Sequence, residues 1–431
     1  MITVVLDDDP TGTQAMSDVS VVLDWSDAEV WRCVEAGDRA VHVLTNSRAH
    51  TALEAGRLVA SAATAARSQC PDARLVLRGD STLRAHLWEE YDALRAVLAP
   101  EREGVPLLLV PALPAAGRVT IDGVHLLERD GRRVRLDRTE YARDGALAYS
   151  DSALVRWAEE RSGGRFAAAD ARLVPLARLR GPGGAAEVAA AIDVAGERGR
   201  PAVVIPDAES DDDLCTIARG LGMAERAGNS VIVRCSPAFV VALTGSAPRA
   251  ASPPRGDRGV LVLCGSFVPA STAQLERLAR DWPEASVTAH VAVLAGGAAE
   301  REIERLAQGA GARIDAGGLA VVATERERDP GLVAAASQRR VATALAQVAR
   351  RVAAGVVIAK GGITSAVTAR DGLGARAARV AGPIATGVAL WRLSTGTDYV
   401  VVPGNVGGPA LLADVVAAIA PRSPAGAEPA C

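Results

Sequence analysis

Lysine is almost missing from this chain: of its 48 lysines and arginines, only Lys360 is a lysine. A compact ammonium and a forked guanidinium are not interchangeable beside a phosphate, so that one lysine, directly before a double glycine, is a candidate ligand contact. Phe, Tyr and Trp together make up 3% of the residues against 49% hydrophobic, so the cores must be built from Ala, Val and Leu. The six cysteines contain no Cys-x-x-Cys pair and the five histidines no His-x-x-x-His pair, which argues against a zinc or disulfide framework. No apolar run approaches about 18 residues and no basic segment precedes an apolar one, which predicts a soluble, cytoplasmic protein with no membrane partner. A formal net charge of -3, with no basic stretch interleaved with aromatics, excludes a nucleic-acid footprint and points to a small-molecule partner.

What is present is an alternation. At 431 residues the chain exceeds one ordinary core. Short runs such as ITVVL, AVHVLT, ARLVLR, PLLLVPA and PAVVIP alternate with Ala- and Arg-rich stretches whose apolar residues recur at three and four. This predicts an α/β fold: two α/β domains, each with a mostly parallel sheet flanked by helices. Residues 246–259 (SAPRAASPPRGDRG) read as a linker, which gives an N-terminal domain over 1–245 and a C-terminal domain over 260–420. The tail, 421–431, has a disordered composition.

Polar residues gather at the predicted strand ends, where open parallel sheets bind ligands. LDDDPTGT ends the first run with Asp7, Asp8 and Asp9, more carboxylates than a helix cap requires. AVHVLTNSRA ends in Thr45, Asn46, Ser47 and Arg48, and LVLRGDSTLR in Arg78, Gly79, Asp80 and Ser81. Arg48 and Arg78 would form a cationic pocket for a carboxylate, with Asp80 and Ser81 holding hydroxyls of the same molecule. In the second half, VVIAKGGITSAV, VVPGNVGG and CGSF each run from a strand into a turn, and their backbone N–H groups suit phosphate oxygens. None is a P-loop, since Lys360 precedes its glycines. Together they predict a nucleotide site.

In these ordered motifs, together with PALPAAGRVTIDGVH at 111–125, TEYARD at 139–144 and GSFVPASTAQL at 265–275, the chain resembles the four-carbon acid sugar kinase family over nearly its whole length. The resemblance implies phosphorylation of threonate, erythronate or 3-oxo-tetronate-type acids with ATP and Mg2+. It assigns the acid sugar to the N-terminal domain and ATP to the C-terminal one, with the active site in the cleft between them. By motif, Asp8, Arg48, Arg78, Gly79, Asp80 and Ser81 contact the substrate. Ser266, Lys360, Gly361, Gly362, Ile363, Thr364, Gly404, Asn405 and Gly407 serve ATP. Two departures stand out: the family commonly has lysine in place of Arg78 and glycine in place of Ala85. The first keeps the charge but replaces a point donor by a fork, which bears on substrate shape.

Phosphoryl transfer requires a group to orient the acceptor hydroxyl and take its proton, and either Asp8 or Asp80 fits that catalytic role. The sequence assigns no metal ligands, and it leaves monomer and homodimer both open. Two other readings compete. Asp7 to Thr11 also fits the Asp-x-Asp-x-Thr nucleophile motif of a haloacid dehalogenase-like phosphatase, although the lysine such an enzyme needs is missing between residues 45 and 79. A non-catalytic acid-binding sensor is the other, against which stand the carboxylates crowding a site meant for an anion.

Overall fold

The computed structural model describes residues 2–35, 37–129, 131–143, 145–197, 199–246, 248–296, 298–326 and 335–420. The tail 421–431 and Asp144 of the TEYARD stretch lie outside the described residues. The chain forms two compact α/β units, one of residues 1–12 and 25–247, the other of residues 13–24 and 248–431.

In the first unit the parallel strands run in the order Ala40–Leu44, Thr3–Asp7, Arg74–Arg78, Ile232–Cys235, Leu107–Val110, Val203–Pro206 and Arg172–Val174. Both faces are covered, so strands such as TVVLD are buried at every position and carry no alternation. The helix Ala52–Gln69 shows how the sequence sets its boundaries. Thr51 and Glu54 form a reciprocal capping box at its start, and Ala55, Val59, Ala62, Ala63 and Ala66 make its buried stripe. Small side chains on that stripe let the helix sit close to the sheet, which is how a core with few aromatics is filled. An antiparallel meander, Arg118–Ile121, Val124–Arg129 and Arg132–Arg135, completes the unit.

The second unit orders its parallel strands Ser286–Ala289, Leu319–Thr324, Val260–Cys264, Val356–Lys360 and Asp398–Val402. The antiparallel strands Val388–Leu393, Ala377–Ala385 and Val19–Val22 follow. The last of these corrects the boundary read from sequence. Residues 13–24 were assigned to the N-terminal domain, but Val19–Val22 pairs with Ala377–Ala385, and Thr13 accepts a 2.8 Å hydrogen bond from Trp391 Nε1. The buried VSVV run needs a partner strand and finds it more than 350 residues away, at Ala377–Val380. The chain therefore passes between units at 12/13 and 24/25 as well as at the 246–259 segment.

No described helix is long and apolar enough to cross a membrane. Trp391 is fully buried against Tyr399, and its indole holds the 13–24 segment. Trp391→Ala is expected to destabilise the second unit by about 3–5 kcal/mol, measured as a lowered urea midpoint of that unit's transition.

Candidate active site

In each unit two neighbouring parallel strands send the chain toward opposite edges of the sheet, and the motifs stand at their ends. In the first unit the chain leaves Thr3–Asp7 toward one edge and Arg74–Arg78 toward the other, so the crevice lies beyond the carboxyl ends of those two neighbours. Register aligns Asp7 with Leu44 and Arg78, and Arg78 with Cys235. Four strand ends therefore stop level, and residues 8–9, 45–48, 79–81 and 236 leave the sheet side by side.

The three aspartates have different surroundings. Asp7 has both oxygens engaged: Oδ2 lies 2.8 Å from His42 Nδ1, while Oδ1 accepts from Arg78 Nη1 at 3.0 Å and from the Asp9 N–H at 3.4 Å. Asp7, to which the phosphatase reading gives the nucleophilic role, is thus buried with both oxygens hydrogen-bonded inside the protein. Asp9 pairs with Arg48 and accepts from Thr11 N–H at 2.8 Å. Burial acts to raise its pKa, but Arg48, Arg78 and the Thr11 hydrogen bonds outweigh burial and hold it below the ordinary carboxylate value. Asp8 accepts from Arg78 Nη1 at 2.8 Å on Oδ1, while its Oδ2 is buried and has no hydrogen-bond partner among the described residues. Burial pushes its pKa up to about 7 against the pull of Arg48, Arg78 and Arg234.

Asp80 is the opposite case. It accepts from Thr82 N–H at 3.1 Å, from the Thr82 hydroxyl and from Arg84 Nε at 2.6 Å, with Arg48 Nη1 at 3.5 Å. Burial is again the largest influence and raises its pKa, but Arg84, Arg48, Arg118 and Thr82 together drive it far below the usual range. Ser81 is also engaged, its hydroxyl accepting from Arg118 Nη1 at 2.8 Å and its carbonyl lying 2.9 Å from His125 Nε2. The meander thus anchors the 79–82 turn. Arg84 and Arg118 both lie over the Tyr141 ring, which places the TEYARD stretch in the wall of the site.

Sequence reasoning missed Arg234 and Glu90. Arg234 stands next to last in the run IVRC and forms a buried ion pair with Glu90, and its Nη2 stands 4.0 Å from Asp8 Oδ2. The signal was available in each case: a fourth strand end carrying charge, and an acid on the buried stripe Leu87, Glu90, Tyr91, Leu94 of one helix. Gly79 matters for the same reason, since a Cβ there would lie 2.6 Å from Arg234 Nη2.

In the second unit the winding reverses between Val260–Cys264 and Val356–Lys360, and register aligns Cys264, Lys360 and Val402. The three glycine turns thus leave the sheet together. Gly361 has φ +102, and a Cβ there would meet Ser266 Cβ at 3.1 Å, so the turn brings bare backbone to the rim. Gly362, Ile363 and Thr364 then open the helix Gly362–Val367, whose first N–H groups have no partner within the helix. Lys360 itself is fully buried and donates to the Pro403 carbonyl at 2.9 Å, so in this structure it ties down the 403–408 turn. Burial brings its pKa down to about 8. Ser271 and Gln274 hold the same turn, Ser271 through the Gly404 carbonyl at 3.0 Å and Gln274 through those of Val406 and Gly407 at 3.0 and 3.2 Å. Those bonds, with that from Lys360, fix the turn that carries Gly404, Asn405 and Gly407.

Asp8 and Asp80 should respond oppositely to loss of charge. Asp80→Asn leaves Arg84 and Arg48 short of a buried counter-charge and is expected to cost about 3 kcal/mol, seen as a lower thermal midpoint. Asp8→Asn removes a carboxylate that the fold holds partly unpaired and is expected to leave that midpoint unchanged or higher at pH 8.

Residues 3–243 match the family model of a sugar-binding N-terminal domain, and residues 261–412 that of a nucleotide-binding C-terminal domain. A D-erythronate kinase of Heliobacterium modesticaldum is 31% identical over 264 residues, 61% of this chain and 55% of that protein, so the match spans about half of the relative's length. Among solved structures, a Salmonella typhimurium LT2 protein described provisionally as a tRNA synthase superposes with TM-score 0.67 at 20% identity, covering 96% of this chain and 98% of that one. A Haemophilus influenzae protein does so with TM-score 0.63 at 18% identity, covering 96% and 99%. These two likenesses show the fold. Because the sugar-binding model alone covers more than half of the chain and the nucleotide-binding model most of the rest, the chain belongs to the four-carbon acid sugar kinase family.

Proposed function

We propose that this protein is an ATP-dependent kinase that phosphorylates a hydroxyl of a four-carbon acid sugar of the threonate, erythronate or 3-oxo-tetronate type. The observation that carries the reading is the open Oδ2 of Asp8, a buried carboxylate oxygen without a partner at the winding reversal of the sugar-binding unit. A base for an alcohol must be unprotonated near neutral pH yet still hold a proton well, and a carboxylate whose pKa is about 7 meets both needs. Asp80, held ionised by Arg84 and Thr82, has too little proton affinity for the task and serves to fix Arg48 and Arg84 around the substrate.

Arg78 orients Asp8 through Oδ1, leaving Oδ2 for the hydroxyl. Arg48, Arg78, Gly79, Asp80 and Ser81 form the surrounding acid-sugar site. When bound, ATP supplies the phosphoryl group. Ser266, Gly361, Gly362, Ile363, Thr364, Gly404, Asn405 and Gly407 would hold it, with Lys360 bracing the last turn from beneath. Among the described residues no group of three or more His, Cys, Asp or Glu side chains is arranged to hold a metal ion, so no protein ligand is assigned to Mg2+, which commonly arrives on nucleotide phosphates.

The test is ADP release from Mg-ATP against a panel of both threonate enantiomers, erythronate and 3-oxo-tetronates, with a five-carbon acid as control. Acid-dependent ADP release is expected, and its absence for every acid contradicts the reading. With the responding acid, Asp8 is protonated and inactive as a base at low pH, so kcat/KM should fall about tenfold per pH unit below about pH 7, in inverse proportion to proton concentration. Asp8→Asn should lower kcat by roughly 10²–10⁴-fold with the KM for ATP little changed.

A further inference from the structure

Glu90 stands where its helix calls for an apolar residue. It shares the buried stripe of Leu87–Leu98 with Leu87, Tyr91 and Leu94, and a carboxylate there is costly unless it is paired and hydrogen-bonded. Two groups meet that need. Ser47 donates to Oε1 at 2.5 Å, and Arg234 Nη1 donates to Oε2. The other edge of the Arg234 guanidinium passes over Gly79 and points at Asp8, but stops 4.0 Å from Oδ2, beyond hydrogen-bond range. Both facing atoms, Arg234 Nη2 and Asp8 Oδ2, are shut from solvent and have no hydrogen-bond partner among the described residues.

An opposed donor and acceptor that stop short of each other define what fits between them. One oxygen set about 2.8 Å from each atom completes both hydrogen bonds. That oxygen must accept from the guanidinium and donate to the carboxylate. A hydroxyl does both, whereas a carboxylate or carbonyl has no proton to give and an ammonium accepts nothing.

We propose that Arg234 and Asp8 together seat the acceptor hydroxyl, with Arg234 as a further catalytic residue and Glu90 as the positioning residue that holds Arg234 open. The inference rests on the kinase reading above. In the transfer, the hydroxyl oxygen forms its bond to the γ-phosphorus as the bond from that phosphorus to the β–γ bridging oxygen breaks. The hydroxyl proton passes to Asp8 Oδ2, and ADP leaves with the bridging oxygen. Arg234 Nη2 stabilises the negative charge growing on the attacking oxygen.

The charged groups around Asp8 explain why Glu90 is needed. Arg78 and Arg48 already act on it, and Asp7 and Asp9 on its own segment share Arg78 with it. Asp8 is already paired with Arg78 through Oδ1, and a further guanidinium in full contact would occupy Oδ2 as well and lower its proton affinity. Glu90 draws Arg234 away and itself favours the protonated form of Asp8, while burial remains the largest influence.

Glu90→Gln separates these roles. Crystal structures of the wild type and the variant should show Arg234 Nη2 closing onto Asp8 Oδ2 to hydrogen-bond distance only in the variant, a readout that needs no activity. In assays with Mg-ATP and the responding acid, the acid limb of kcat/KM should move to lower pH by a unit or more, with kcat at least tenfold lower and the KM for ATP unchanged. An unmoved Arg234, or a wild-type limb and kcat, overturns the proposal. Arg234→Lys, which keeps the charge but loses the fork, decides the matter if Glu90→Gln does not fold: kcat should fall at least tenfold at unchanged ATP KM, and wild-type kcat overturns it. If the wild type itself releases no acid-dependent ADP, the kinase reading fails, while the crystallographic comparison still decides whether Glu90 holds Arg234 from Asp8.

Discussion

One guanidinium makes the first strand end tenable. Arg78 Nη1 donates to Asp7 Oδ1, Asp8 Oδ1 and the Asp9 carbonyl at 3.0, 2.8 and 3.1 Å, and Nη2 lies 3.4 Å from Thr11 Oγ1. Three successive buried carboxylates would otherwise repel one another in a medium with little water to screen them. The neighbouring strand delivers Arg78 because parallel register sets it opposite Asp7. The site therefore depends on sheet pairing as much as on the Asp-Asp-Asp run itself.

Around that contact the remaining charges are divided unequally. Asp9 takes Arg48, Asp80 takes Arg84 and Thr82, and Asp7 takes His42, so each is satisfied and fixed. Asp8 is left with one bonded oxygen and one open one. Arg234, the group near enough to fill the gap, is held by Glu90. A site built for stability would have closed that pair, and keeping it open is the kind of local cost that functional sites retain.

Much of this was legible in the sequence because it is local. The strand runs, the aspartates at a strand end and the glycine turns each declare themselves within about ten residues through periodicity and turn chemistry. What could not be read depends on distant partners. Arg234 is one of many arginines, and its meaning comes from a register that sets it opposite Leu77, one residue before Arg78. Glu90 looks like one more acid on a helix until the burial of its stripe is known. The VSVV strand could not be assigned to its unit because its partner, Ala377–Val380, lies at the far end of the chain. Lys360 was noticed for its rarity, yet its ammonium is turned to the Pro403 carbonyl, which composition cannot show.

The central claim is that Asp8 titrates near neutrality, unlike Asp9 and Asp80, which are held below the ordinary carboxylate value. Carboxyl ¹³C NMR of aspartate-labelled protein, with Asp8→Asn used to assign the signal, measures this directly. A midpoint near 7 is predicted. A midpoint at or below the ordinary aspartate value of about 3.9 would mean that Asp8 is a fully paired structural carboxylate, and the account of this site would be wrong.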